Sequence, residues 1–196
     1  MEAIFYASPW PGLVLWAALY VSDFLMTMTC ARLYQNGARE RITFEGSYEI
    51  TPYYQRDVDT LRLVSPRFLL ALVGTCAIQA ALWLLTMRTQ VVPQAYVFAV
   101  GMMIMIQLTI HVRHIRNLFL FRAVLAGDGI SGRIEYGRPI MLRMSAVELF
   151  SFAGVYAILF AITFSWFILG GAVICAVMAA NHRTLASNHV AKATAA

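Results

Sequence analysis

The stretch Val92–Leu125 constrains this chain more than any other. It reads VPQAYVFAVGMMIMIQLTIHVRHIRNLFLFRAVL, with a first half almost wholly apolar. Its second half keeps the apolar frame while carrying Gln107, His111, Arg113, His114, Arg116 and Arg122. A run this long needs a bilayer or a large buried core, and about 20 apolar residues suffice to cross a bilayer. Its last turns are therefore expected to project beyond the lipid.

Composition points the same way. Of 196 residues, 60% are hydrophobic and only 13% charged, against about 25% charged in a soluble domain. The net charge of +5 does not imply nucleic acid, because the basic residues flank apolar segments rather than forming one run. Lys192 is the only lysine; so strong a bias to arginine leans toward a GC-rich bacterial genome and a bacterial inner membrane. Cys30, Cys76 and Cys175 lie inside apolar segments with no C-x-x-C, as free buried thiols do. The lead MEAIFYASPWPG has no basic region, so the first apolar segment is expected to be a retained helix.

The pattern predicts an all-α integral membrane protein, a single domain of four transmembrane helices in a bundle. The helices are expected at about 11–34, 66–87, 93–122 and 144–180. The last is longer than a span requires and is expected to tilt, protrude or kink near Gly170-Gly171. Met1–Trp10 suits a short interfacial lead, and Ser65 with Pro66 reads as a helix N-cap and first position. The segments at about 35–65 and 126–143 are polar. Within the first, Arg41–Ile50 has extended character and Tyr53–Val64 suits a short surface helix. The tail from Asn181 is small and polar, and is expected to be disordered.

Arginines surround both polar segments: Arg32, Arg39, Arg41, Arg56, Arg62 and Arg67 the first, Arg113, Arg116, Arg122, Arg133, Arg138 and Arg143 the second. With four spans, Arg88, Arg183 and Lys192 face the other way. The positive-inside rule then predicts a multi-pass cell-membrane protein with both loops cytoplasmic and both termini non-cytoplasmic.

Three helices bring polar groups to a similar depth. Asp23, Thr27 and Cys30 share one helical face, as do Gln107, His111 and His114; Glu148 and Ser151 sit one turn apart. A charge in lipid costs about 2.5 kcal/mol or more, so these groups are expected to turn toward one another. Carboxylates and imidazoles inside a bundle can relay protons. His111 and His114 with Glu148 or Asp23 form a weaker candidate for a zinc or iron site, since no E-x-x-H accompanies them. The plain alternative is that the basic residues snorkel and Glu148 pairs with Arg143 or Arg113. Glu45 and Glu49 could cap the cluster, but surface pairing with arginines is the commoner fate of such acids.

Other patterns carry less. Gly129-Ile130-Ser131-Gly132 matches the G-x-S-G around the serine of rhomboid proteases, but RIEYGR follows it and no later span holds a histidine at its middle. Arg113, Arg116 and Arg122, spaced by multiples of three, read as topology signals or lipid head-group contacts. Ala172, Ala176 and Ala180, like Ala157 and Ala161, recur every fourth residue and permit close helix packing, within the bundle or against a second copy. No P-loop or nucleotide fingerprint is present.

The functions these features admit are three. One is a small oligomeric ion- or proton-handling channel or transporter. Another is an accessory or scaffold subunit of a membrane complex. The third is a metal-dependent membrane enzyme, less expected because one bundle leaves little room for a substrate cavity. The expected partners are the bilayer and either further copies or a membrane complex, and no nucleic acid.

Overall fold

The computed structural model describes residues 2–90, 92–127 and 131–194, with side chains to residue 191. Among the described residues, five helices are long and apolar enough to cross a membrane. They are α2 (Trp10–Gln35), α4 (Pro66–Thr89), α5 (Gln94–Ala126), α6 (Arg138–Thr163) and α7 (Trp166–Thr194); α1 (Ala3–Ala7) and α3 (Pro52–Asp59) are short. Large apolar side chains such as Leu70, Val73, Phe150, Ile158 and Ile162 stand exposed on the outer faces of α4 and α6. A surface so apolar in so many places suits lipid rather than water.

The first three spans follow the expected bounds closely. Ser65 caps α4 as its position suggests, its Oγ accepting from the Phe68 amide at 3.1 Å and donating to Asp57 Oδ2 at 2.5 Å. Helix α5, of 33 residues, is about 50 Å long at ~1.5 Å per residue. It ends at Gly127, whose φ of 82° is the left-handed conformation that favours glycine at a helix C-terminus.

The expected fourth span is two helices. The chain breaks at Phe164, with φ 52°, and Ser165, so the bundle has five long helices rather than four. The break is fixed from afar. Glu2 Oε1 accepts from the Ser165 hydroxyl at 2.5 Å and the Phe167 amide at 3.0 Å, and Phe5 stacks on Phe167. A carboxylate at a helix N-terminus satisfies amides that otherwise lack partners. Nor is the region after Asn181 an irregular tail, since α7 runs on to Thr194.

Gly170 and Gly171 are not a kink. A Cβ on Gly170 would strike the Phe98 carbonyl, one on Gly101 the Phe167 carbonyl, and one on Gly171 would sit 2.6 Å from Met105 Cβ. These glycines let α5 and α7 cross with backbones nearly touching. The alanine stripe is also turned from its expected face: Ala172, Cys175 and Ala179 are buried, whereas Ala176 and Ala180 are exposed. Ala157 and Ala161 on α6 are exposed too.

Contacts fix the directions. His182 meets Ser145, so α6 and α7 are antiparallel; Thr109 meets Cys175, and Thr27 meets His114, so α5 runs parallel to both α7 and α2. Trp16 donates to Thr75 and Trp83 to the Phe5 carbonyl, setting α4 antiparallel to α2. One end of the bundle gathers Phe5, Tyr96, Val97, Val100 and Ile104 into a dense core. The other carries the arginines. There β1 (Ile42–Phe44) pairs in parallel with β2 (Ile134–Tyr136), Ile42 opposite Ile134, tying the two polar segments into one layer. The overhang of α5 packs into that layer through Phe121 and Val124, among Tyr34, Phe44, Tyr48 and Tyr136. The extended stretch and the surface helix expected in the first segment are both found there, as β1 and α3.

Candidate functional site

A cavity of about 290 Å³ opens at the arginine-rich end, between α2, α5, α6 and α7 and beneath the loop that follows β1. Asp23 and Thr27 line it from one face of α2; Cys30, on the same face, does not. His114 Nε2 lies 2.8 Å from Asp23 Oδ1 and 3.1 Å from Thr27 Oγ1. The Cys30 thiol contacts the His114 carbonyl at 3.7 Å. Cys30 and Thr27 are small enough to let α5 approach, which brings the imidazole against the carboxylate. The expected meeting of an α2 acid with an α5 histidine therefore occurs, but the histidine is His114.

His111 turns away. Its Nδ1 lies 2.7 Å from the Gln107 carbonyl of its own helix, and it does not line the cavity. Glu148 is drawn elsewhere too, its Oε2 accepting from Arg113 Nε at 2.9 Å with Arg116 Nη1 at 3.7 Å. That is the ion pair anticipated as the plain fate of Glu148. It also corrects the reading of Arg113 as a topology or head-group residue, because Arg113 turns inward and lines the cavity. Arg116 and Arg122 are exposed, as such a role requires. Ser151 is exposed on α6, bonded to the Val147 carbonyl, and takes no part in the cluster. Gln107 is buried and lines the cavity.

The proposed metal set is thus dispersed: His111 bonds to its own helix, and Glu148 holds Arg113. Among the described residues, no group of three or more histidines, cysteines or acids is placed to hold a metal ion. Of the G-x-S-G motif, Gly129 and Ile130 lie outside the described residues, and Ser131 is exposed.

Much of the lining comes from residues beyond the expected cluster. Tyr20 lies one turn before Asp23 on the same face and bonds through its hydroxyl to that of Tyr54 on α3, at 2.6 Å. Asn117 donates to the Tyr48 hydroxyl at 3.2 Å. His182 reaches the cavity from α7, its Nδ1 2.8 Å from Ser145 Oγ. The spacing of Tyr20 from Asp23 was a visible signal; nothing local could have announced His182, whose place depends on the fold-back at Phe164.

The two loop acids divide. Glu45 Oε2 accepts from the Arg138 amide at 2.7 Å, capping α6. Glu49 instead lines the cavity, half-buried, with its Oε1 accepting from the Thr51 amide at 2.7 Å. Burial pushes its carboxyl above the ordinary value, against the amide bond from Thr51 and the nearby His114, which pull it down. Burial likewise raises Tyr48. The cap over the cluster is therefore Glu49, contrary to the preference for surface pairing.

Fold and site together are those of a helical bundle, compatible with a multi-pass membrane protein, with a largely apolar cavity at one end that holds a few ionisable groups. No family model, curated protein or solved structure matches the chain.

Proposed function

We propose that the protein is a small transporter that handles protons or cations, with Asp23 and His114 as the exchanging pair and Glu49 at the cavity mouth. The observation that carries this reading is the 2.8 Å contact of a carboxylate and an imidazole inside a cavity within a bundle of apolar helices. Ionisable groups at such depth are costly and are usually kept for a task. Histidine is the side chain whose charge changes most readily near neutral pH. The cavity is one-sided. Beyond Gln107 the bundle is filled by Tyr96, Val97, Val100 and Ile104, which favours alternating exposure of a site over a standing pore.

Orientation follows from the same charges. With five crossings, Arg183 and Lys192 join the arginine-rich end, leaving Arg88 as the basic residue at the other. The positive-inside rule then places the cavity mouth and the C-terminus in the cytoplasm and the N-terminus outside. This replaces the expectation of two outer termini, which rested on four spans. Assembly of several copies in the membrane belongs to the same proposal.

The test is proton movement in proteoliposomes loaded with a pH-sensitive dye. The parent is expected to move protons after a pH step, and Asp23→Asn to reduce the rate at least tenfold. A parent indistinguishable from empty liposomes sinks the reading.

A docking role has its own support. The β1–β2 layer presents Arg39, Arg41, Arg56 and Arg133 exposed, a basic surface suited to an acidic partner subunit. Charge reversal of these four residues should release any partner that co-purifies, while leaving proton movement unchanged.

A further inference from the structure

Resting on the reading that this cavity is the working site, we infer that its occupant is a small organic cation, an ammonium group carrying apolar substituents, held by Asp23 and Glu49 against an aromatic wall. Charge supplies the first argument. Asp23 and Glu49 both line the cavity, and neither is paired with an arginine among the described residues. Arg113, the one lining arginine, is held by Glu148. His114 and His182 add positive charge only when protonated. Even with His114 charged and matched to Asp23, Glu49 is left without an ion-pair partner among the described residues.

The wall supplies the second. Tyr20, Phe24, Tyr48, Tyr54 and Phe68 all line the cavity. Aromatic rings attract cations through their quadrupole and also accept apolar substituents. A bare metal ion has no use for such a wall, and no group of three ligating side chains is placed for one among the described residues.

An open acceptor supplies the third. Gln107 is 4% exposed and lines the cavity, yet its Oε1 is buried without a hydrogen-bond partner. An amide oxygen can only accept. A buried acceptor left open is costly; the N–H of a primary ammonium such as phenethylammonium would satisfy it, whereas a quaternary ammonium would be held by charge and the aromatic wall alone. The volume sets the scale. At about 290 Å³ the cavity stands at the low edge of small-ligand sites, roughly 300–1,000 Å³.

The experiment is isothermal titration of the full chain in nanodiscs of zwitterionic lipid, with tetramethylammonium, choline and phenethylammonium as probes. Sodium and 3,3-dimethylbutan-1-ol, the neutral isostere of choline, serve as comparisons. At least one organic cation should bind saturably, at least tenfold more tightly than either comparison. Asp23→Asn and Glu49→Gln should each weaken it at least tenfold; Glu49 lies in the loop, so its variant tests the idea if Asp23→Asn fails to fold. Binding by none of the three cations overturns the inference, as does equal binding of the neutral alcohol or sodium, or unchanged affinity in folded Asp23→Asn and Glu49→Gln. Saturable cation binding in a protein that moves no protons would uphold this inference and remove the proton reading. Asp23-dependent proton movement with no cation binding would do the reverse.

Discussion

The two ends of this bundle are built from the same five helices and packed by opposite rules. At the closed end, Gly101 and Gly170 bring α5 and α7 to backbone contact, and Phe5, Tyr96, Val97 and Val100 fill what remains. At the open end α5 carries no glycine and meets α2 through Thr27 and Cys30 instead. A cavity forms there under a loop layer fixed by a short parallel strand pair. The closed end is held by shape, and the open end by paired polar groups. The lesson is that backbone contact leaves no room for chemistry, while ionisable groups are held where the helices enclose a space beneath a loop.

The sharpest way to break that contrast is Gly101→Ala. On an open helix face this change favours the helix by about 1 kcal/mol. Here the new Cβ would strike the Phe167 carbonyl, so the expected outcome is a loss of about 3 kcal/mol, read from unfolding in mixed detergent micelles. Gly74→Ala and Gly154→Ala, with open space at both positions, should be neutral or slightly stabilising. If all three behave alike, the closed end is not set by glycine contact.

Next in size is Glu148→Gln at the open end. It leaves Arg113, mostly buried, without its charge partner, and should cost about 2 kcal/mol. The closed end should keep its protection against hydrogen exchange in this variant. Loss of protection around Gly101 as well would show that the two ends do not behave separately.

Glu2→Ala removes the carboxylate that fixes the α6–α7 break. The expected cost is about 1 kcal/mol, as for other helix caps, with faster exchange at Phe167 and Ile168. Unchanged exchange there would mean that Ser165 alone holds the turn.

The smallest effect concerns pH. Burial raises the Glu49 carboxyl in the folded protein above its ordinary 4.5. The contribution of this residue to stability is thus fully present below the ordinary value and is lost as pH rises through the raised one. Exchange of the loop around Ser47–Thr51 should quicken over that window, and Glu49→Gln should flatten the dependence. A loop that tightens as pH rises would reverse the assigned sign.

How much of the site was legible is clearest at His114 and Ser151. Helical spacing placed Asp23, Thr27, Gln107 and His114 on inward faces, and all four line the cavity. The same spacing nominated His111 and Ser151, which face elsewhere. Spacing gives a face relative to its own helix but not the rotation of that helix against its neighbours. His111 stands about 60° around α5 from His114 at 3.6 residues per turn, enough for the contact with α2 to take one and not the other. The break at Phe164–Ser165 was missed because neither residue interrupts the apolar run; Ser165 is a weak cap signal, and its strongest partner, Glu2, lies at the far end of the chain.

The sequence by itself determined the length and apolar character of the crossing segments, the gathering of arginines at their polar ends, and the presence of ionisable groups within them. Those are properties of short windows, where transfer to hydrocarbon and helical periodicity act locally. Only the tertiary structure decided that the last segment folds back, which histidine meets Asp23, that Glu148 belongs to Arg113, and that Glu49 closes over the cavity. Each of these depends on contacts between residues distant along the chain, and the energy of such a contact is written in neither partner alone.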